Sequence, residues 1–221
     1  MRLNSRKLVN FFFKTLFIGG VAGLVTSFFV ETEKYSINLN PFNFMELLGL
    51  VVFFIGLGLV FSVISQTGFF AYLFINRFGL SIFRSFWPTV QVLLIAFVVF
   101  DLVYFPYKAT EGEVSVFWYI LMSAAILLYG LFIAKIKAKE TNQRAFVPAL
   151  FLMVVMTTLE WIPGLQTEGT VYAWLMIITL LTCNTYQLLV LHRLTRTDDD
   201  KSKVSQSNKT PARKKAGMNK A

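Results

Sequence analysis

The stretch ELLGLVVFFIGLGLVFSVISQTG, residues 46–68, sets the architecture. From Leu47 to Gly68 it holds no Lys, Arg, Asp or Glu, and as a helix rising 1.5 Å per residue it crosses about 30 Å of hydrocarbon. Backbone groups in that solvent must bond to one another, which an unbroken helix achieves. Five further apolar runs flank it, at residues 9–30, 88–106, 116–134, 146–163 and 171–191. The expected fold class is therefore all-α, a polytopic membrane protein of six transmembrane helices over residues 1–193. Composition agrees: the 221-residue chain is 56% hydrophobic and only 15% charged, whereas soluble domains carry about a quarter charged residues. The loops are too short for a separate catalytic domain, so one membrane domain is expected.

Charge sets the expected orientation. With the N-terminus in the cytoplasm, all 21 Lys and Arg residues except Lys34 and Lys108 fall on the cytoplasmic side, as insertion favours. Both termini are then cytoplasmic. Trp118, Trp161 and Trp174, with Tyr104, Tyr107 and Tyr172, fall at outer span ends like an interfacial aromatic belt, and Trp87 sits at the inner edge. The net charge of +9 lies in short segments beside apolar runs and in the tail, which fits an anionic membrane surface and not a nucleic acid. The first run is 22 residues, too long for a cleavable signal core, and no small-residue cleavage site follows it.

Several segments depart from plain spans. Continued to Ile75, the second would reach about 45 Å, and Gly68 is the expected break. Residues 76–87 then place Arg77, Ser81, Arg84 and Ser85 on one stripe, as an in-plane amphipathic helix would. From residue 194 to 221 apolar periodicity is lost, and a disordered basic cytoplasmic tail is expected. A faint echo links residues 86–106 with 146–163: Phe86-Trp87-Pro88 parallels Phe146-Val147-Pro148, and Asp101 before Pro106 parallels Glu160 before Pro163.

Gly19, Gly23 and Ser27 recur every four residues, and Gly58 with Ser62 repeats the spacing, which lets helix backbones approach closely. Ionisable groups at lipid depth are Lys14, Asp101 and Glu160. Lys14 reaches the interface by snorkelling. Asp101 and Glu160 share a depth and would meet if the third and fifth spans are neighbours, forming a proton- or cation-sensitive pair; the alternative is that each is hydrated at a proline-disturbed helix end. Asn40-Pro41 or Asn43 can cap the second span, and Glu46 then faces its positive end. Gln66, Gln91, Asn184 and Gln187 are expected to join helices by hydrogen bonds.

Enzyme signatures are missing from the sequence. His192, the only histidine, lies at the inner edge of the last span, and Cys183 is the only cysteine, so neither a Ser–His dyad deep in the bundle nor a His-x3-His zinc pair can be assembled. There is no G-x-S-x-G, P-loop or dinucleotide fingerprint. No enzymatic activity, cofactor or metal is expected.

The segment Gly58-Leu-Val-Phe-Ser-Val-Ile-Ser-Gln-Thr-Gly-Phe-Phe-Ala-Tyr72, followed by Asn76-Arg-Phe-Gly79, resembles the KinB-signalling pathway activation proteins of spore-forming bacteria. The Arg6 to Gly23 region, with Leu16-Phe-Ile-Gly-Gly20, is similar to them too. The likeness extends over about residues 8–193. It implies a multi-pass protein of the bacterial cytoplasmic membrane that promotes activity of the sensor histidine kinase KinB, upstream of the sporulation phosphorelay. No active-site residues come with it. Ser62, Ser65, Gln66, Arg77 and Arg84 are the expected kinase-contacting residues. The competing expectation is a small transporter using Asp101 and Glu160.

Overall fold

The computed structural model describes residues 5–110, 114–165 and 170–207, with side chains from Arg6 to Leu191 within those ranges. Glu111, Glu113, Glu168 and the side chains of His192 and of the basic residues of the tail lie outside the described set. The chain forms α1 (Ser5–Val30), α2 (Thr32–Leu39), α3 (Phe44–Phe83), α4 (Trp87–Ala109), α5 (Val116–Glu140), α6 (Phe146–Phe151), α7 (Thr157–Leu165) and α8 (Thr170–Ser207). Tight 3-10 turns at Arg84–Phe86 and Gln143–Ala145 open α4 and α6, and a wide π turn, Leu152–Met156, joins α6 to α7. Among the described residues the fold is all-helical apart from one isolated bridge between Leu39 and Phe42.

Five helical stretches are long and apolar enough to cross a membrane: Arg6–Val30, Phe44–Ala109, Val116–Glu140, Gln143–Leu165 and Thr170–Leu191. The second is 66 residues, about 100 Å if straight, and it folds back on itself at Arg84. There φ is 48°, a left-handed conformation that ends the helical ladder. Beyond the turn, Trp87 Nε1 donates to Asn76 Oδ1 at 2.8 Å and Gln91 Nε2 donates to the same oxygen at 3.4 Å. The Trp87 indole also covers Gly79, where a Cβ would overlap the ring.

Two expectations are corrected here. α3 runs unbroken through Gly68 to Phe83, so Gly68 is not a helix break and residues 76–87 do not form a separate in-plane helix. The reason is local: Gly68 is packed against Glu160, and the end of α3 is tied to α4 through Asn76 and Trp87. With 40 residues, α3 measures about 60 Å, twice the hydrocarbon thickness. At its start Asn43 does cap it, accepting from the Glu46 amide at 3.5 Å. Replacing Trp87 with Phe keeps the ring on Gly79 but removes the bond to Asn76. A loss of about 1 kcal/mol is expected in detergent unfolding, and an unchanged midpoint would contradict this role.

α1 lies along α3 and α8, and α8 also packs on α7; α4, α5 and α6 make a second group. The π turn joins the two groups, touching α3, α4, α5 and α8, with all five of its residues buried. α1 and α3 meet backbone to backbone at the expected small residues. A Cβ on Gly23 would sit 2.7 Å from Gly58 Cα and 2.9 Å from the Phe54 carbonyl oxygen, and one on Gly58 would overlap the Gly19 carbonyl. Ser27 serves otherwise, bonding the Tyr35 hydroxyl of α2 at 2.7 Å.

Trp118 and Trp174 are exposed, as an interfacial belt requires, but Trp161 is buried. Its Nε1 donates to the Ala173 carbonyl at 2.8 Å, so it joins α7 to α8 and is no part of a lipid-facing belt. The backbone of α8 continues to Ser207, past residue 194, where loss of apolar periodicity alone suggested that order ends.

Candidate functional site

Ser65 on α3, Thr157 and Glu160 on α7, and Asn184 and Gln187 on α8 meet in the interior of the bundle, all of them buried. Asn184 is the hub. Its Oδ1 accepts from Ser65 Oγ at 2.7 Å, while its Nδ2 donates to Thr157 Oγ1 at 2.9 Å and to Glu160 Oε2 at 2.8 Å. Gln187 Nε2 donates to Ser65 Oγ at 2.6 Å. Asn184 and Gln187 are three apart on α8, so they face α3 together.

The cluster extends towards α1. Ser62 Oγ donates to the Thr15 carbonyl at 2.9 Å, and Gln66 Nε2 donates to Ser62 Oγ at 3.3 Å and to the Phe12 carbonyl at 3.4 Å. The Cys183 thiol is buried and lies 3.9 Å from the same Thr15 oxygen. Side-chain hydrogen bonds thus fix the relative positions of α1, α3, α7 and α8. In a low-dielectric interior such bonds hold a register, because displacing any partner leaves a polar atom without one.

Two features shape the Glu160 end. Thr157 Oγ1 reaches back to the Leu152 carbonyl at 3.2 Å, across the π turn; such turns occur disproportionately at functional positions. Glu160 also requires Gly68, since a Cβ there would overlap its carboxylate. Glu160 Oε1 and Gln187 Oε1 are buried acceptors without a hydrogen-bond partner among the described residues.

The expected pair of carboxylates does not form. Asp101 lines a groove of about 460 Å³ whose walls include Leu102, Phe105 and Pro106 of α4 and Leu159 and Ile162 of α7. Glu160 points from the other side of α7, towards Gly68 and Asn184. The extra residue of the π turn shifts the phase of α7 by about 100° relative to α6. Among the described residues no three His, Cys, Asp or Glu side chains are grouped as metal ligands would be.

The expected kinase-contacting residues divide in two. Arg77 and Arg84 are exposed, but Ser62, Ser65 and Gln66 are buried. Those three are bonded inward to α1 and α8 and lie inside this fold. Lys14 is exposed and lines a shallow groove with Phe13, Phe17, Ile18 and Tyr186. The amides Asn184 and Gln187 were legible as interhelical bonding groups, whereas nothing in the sequence marked Thr157 or Gly68 as partners of Glu160.

Residues 19–194 match the protein family described as KinB-signalling pathway activation in sporulation. The chain belongs to this family. A curated relative, the KinB-signaling pathway activation protein of Bacillus subtilis (strain 168), is 39% identical over 193 residues, covering 86% of this chain and 97% of the relative. The KinB-activation family match covers the cluster's side chains on α3, α7 and α8 and begins after its α1 partners Phe12 and Thr15. The relative's name describes activation of the KinB signalling pathway. No solved structure matches the chain.

Proposed function

We propose that this KinB-activation family member is a six-span protein of the bacterial cytoplasmic membrane, with both termini in the cytoplasm. It raises activity of the KinB sensor histidine kinase pathway by direct contact and without catalysis. Family membership together with near full-length similarity to an activation protein carries this reading. Two spans in the 66-residue stretch, reversed at Arg84, bring the count to six. The positions of Lys and Arg then favour cytoplasmic termini.

A partner shifts a kinase between states only through contacts that differ between those states. The exposed inner end of α3 supports such a contact: Arg77 lies beside exposed Phe74 and Phe78, whose rings stack at 5.9 Å. Ser62, Ser65 and Gln66 act indirectly, by fixing where α3 stands. The transporter reading loses its motivating feature, since Asp101 and Glu160 lie on opposite sides of α7.

Deleting the gene and complementing with wild-type or Arg77→Glu protein tests the proposal, with spore yield and kinase phosphorylation as readouts. Deletion should lower both. Arg77→Glu should accumulate normally and weaken co-purification with the kinase about tenfold, the scale of a reversed interfacial charge. Full sporulation without the protein would overturn the functional reading.

A further inference from the structure

The echo between residues 86–88 and 146–148 is longer than its apolar part. Arg84-Ser-Phe-Trp-Pro88 and Arg144-Ala-Phe-Val-Pro148 are two copies of Arg-x-Phe-x-Pro. Each copy spans a 3-10 turn and the first residues of the helix beyond it, α4 or α6. The two turns line one cavity of about 840 Å³, each contributing its Arg and its Pro.

The rest of the lining is free of carboxylates and mixed, with apolar walls from Leu80, Val147 and Leu188 and a set of polar side chains. The polar members include Asn76, Gln91, Lys137, Asn142 and Gln143. Neither Arg84 nor Arg144 makes an ion pair among the described residues. Lys137 is buried and donates to the Leu188 carbonyl at 2.6 Å. Gln91 is fully buried, and its Oε1 has no partner among the described residues. Asn76 Oδ1 accepts from both Trp87 and Gln91, which leaves its Nδ2 as a donor.

Arg84 is itself informative. At φ 48° a residue with a Cβ is strained and glycine is not, so the turn alone does not call for arginine. A planar guanidinium binds phosphate oxygens two at a time. Two of them at the ends of apolar helices stand at the depth where phospholipid headgroups lie.

We propose that the twin Arg-x-Phe-x-Pro turns form a binding site for the phosphodiester headgroup of an anionic phospholipid. Arg84 and Arg144 hold the phosphate, and Asn76 and Gln91 offer a donor and an acceptor to a headgroup hydroxyl. A bound lipid would bridge the α3–α4 turn to the α5–α6 turn. The site rests on the bilayer placement proposed above and is independent of the kinase.

Full-length protein purified in detergent tests it, titrated with phosphatidylglycerol, phosphatidylcholine or inorganic phosphate and read by native mass spectrometry and thermal unfolding. Phosphatidylglycerol should be retained and raise the midpoint; phosphatidylcholine and phosphate should not. Arg84→Gly, which relaxes the backbone, combined with Arg144→Gln should weaken phosphatidylglycerol binding about thirtyfold, the effect of two interfacial cations. Lys135→Gln with Lys139→Gln, outside the cavity lining, should bind like wild type. A photoactivatable phosphatidylglycerol should label wild-type residues 84–91 or 142–148, a readout that needs no variant. Labelling confined to other segments, or equal binding by the arginine variant, would overturn the proposal. A midpoint shift with phosphate alone would replace the lipid by a soluble phosphorylated ligand. Recovery of the protein without detergent would instead defeat the bilayer placement.

Discussion

Gly58→Leu should separate α1 from α3 and lower stability by about 3 kcal/mol, the upper range for overpacking a closely fitted interface. Even a methyl group at position 58 overlaps the Gly19 carbonyl, and Gly20 Cα would stand 3.0 Å away. These are backbone atoms, so no change of rotamer relieves the contact. Where lipid supplies no hydrophobic drive between helices, such close approach is itself the source of packing energy. Movement of α3 would also stretch the bond from Ser62 to the Thr15 carbonyl, so the damage should reach the polar cluster. Gly49→Leu and Gly56→Leu serve as controls in the same helix, since a Cβ at either position meets nothing within 4 Å. They should melt like wild type or slightly higher, because leucine favours helix over glycine by about 1 kcal/mol. Detergent unfolding of the three variants decides the matter, and a Gly58→Leu midpoint equal to the controls would refute the close contact.

Asn184→Leu should be about as damaging, at about 3 kcal/mol. The substitution roughly preserves volume but strips the hub, leaving Ser65 Oγ, Thr157 Oγ1 and Glu160 Oε2 short of the partners they have through Asn184. Stranding buried polar atoms costs about 1–3 kcal/mol each, with more for a group able to carry charge. Some of that is recovered as side chains turn to new partners, which keeps the sum near a single large term. Combining Asn184→Leu with Ser65→Ala and Glu160→Leu should restore part of the loss, because orphaned partners go with the hub. If the triple variant is less stable than Asn184→Leu by the full sum of the added changes, the residues do not act as one network.

Legible and hidden features of the sequence divide on physical grounds. Gly19, Gly23 and Gly58 were readable as packing positions, because a four-residue spacing on a helix names its own face. Asn184 and Gln187 were readable as bonding groups, since amides at lipid depth need partners. A return between the second and third spans was expected, but its place at Arg84 was hidden, because neither glycine nor proline occupies the left-handed position. Gly68 misled for the opposite reason: a mid-helix glycine suggests weakness, yet here the missing side chain makes room for Glu160. Least visible was the π turn. Leu-Met-Val-Val-Met over residues 152–156 is uniformly apolar, so nothing in it betrays the changed phase that directs Glu160 to α3 and α8 and away from Asp101.

Activation of a kinase through contact within a membrane can be measured without a cell. Purified full-length protein and purified KinB kinase are reconstituted in the same lipid vesicles, and kinase autophosphorylation is followed. The rate should rise only when both proteins share one bilayer, and the rise should shrink with Arg77→Glu. An autophosphorylation rate unaffected by the wild-type protein would contradict activation by contact.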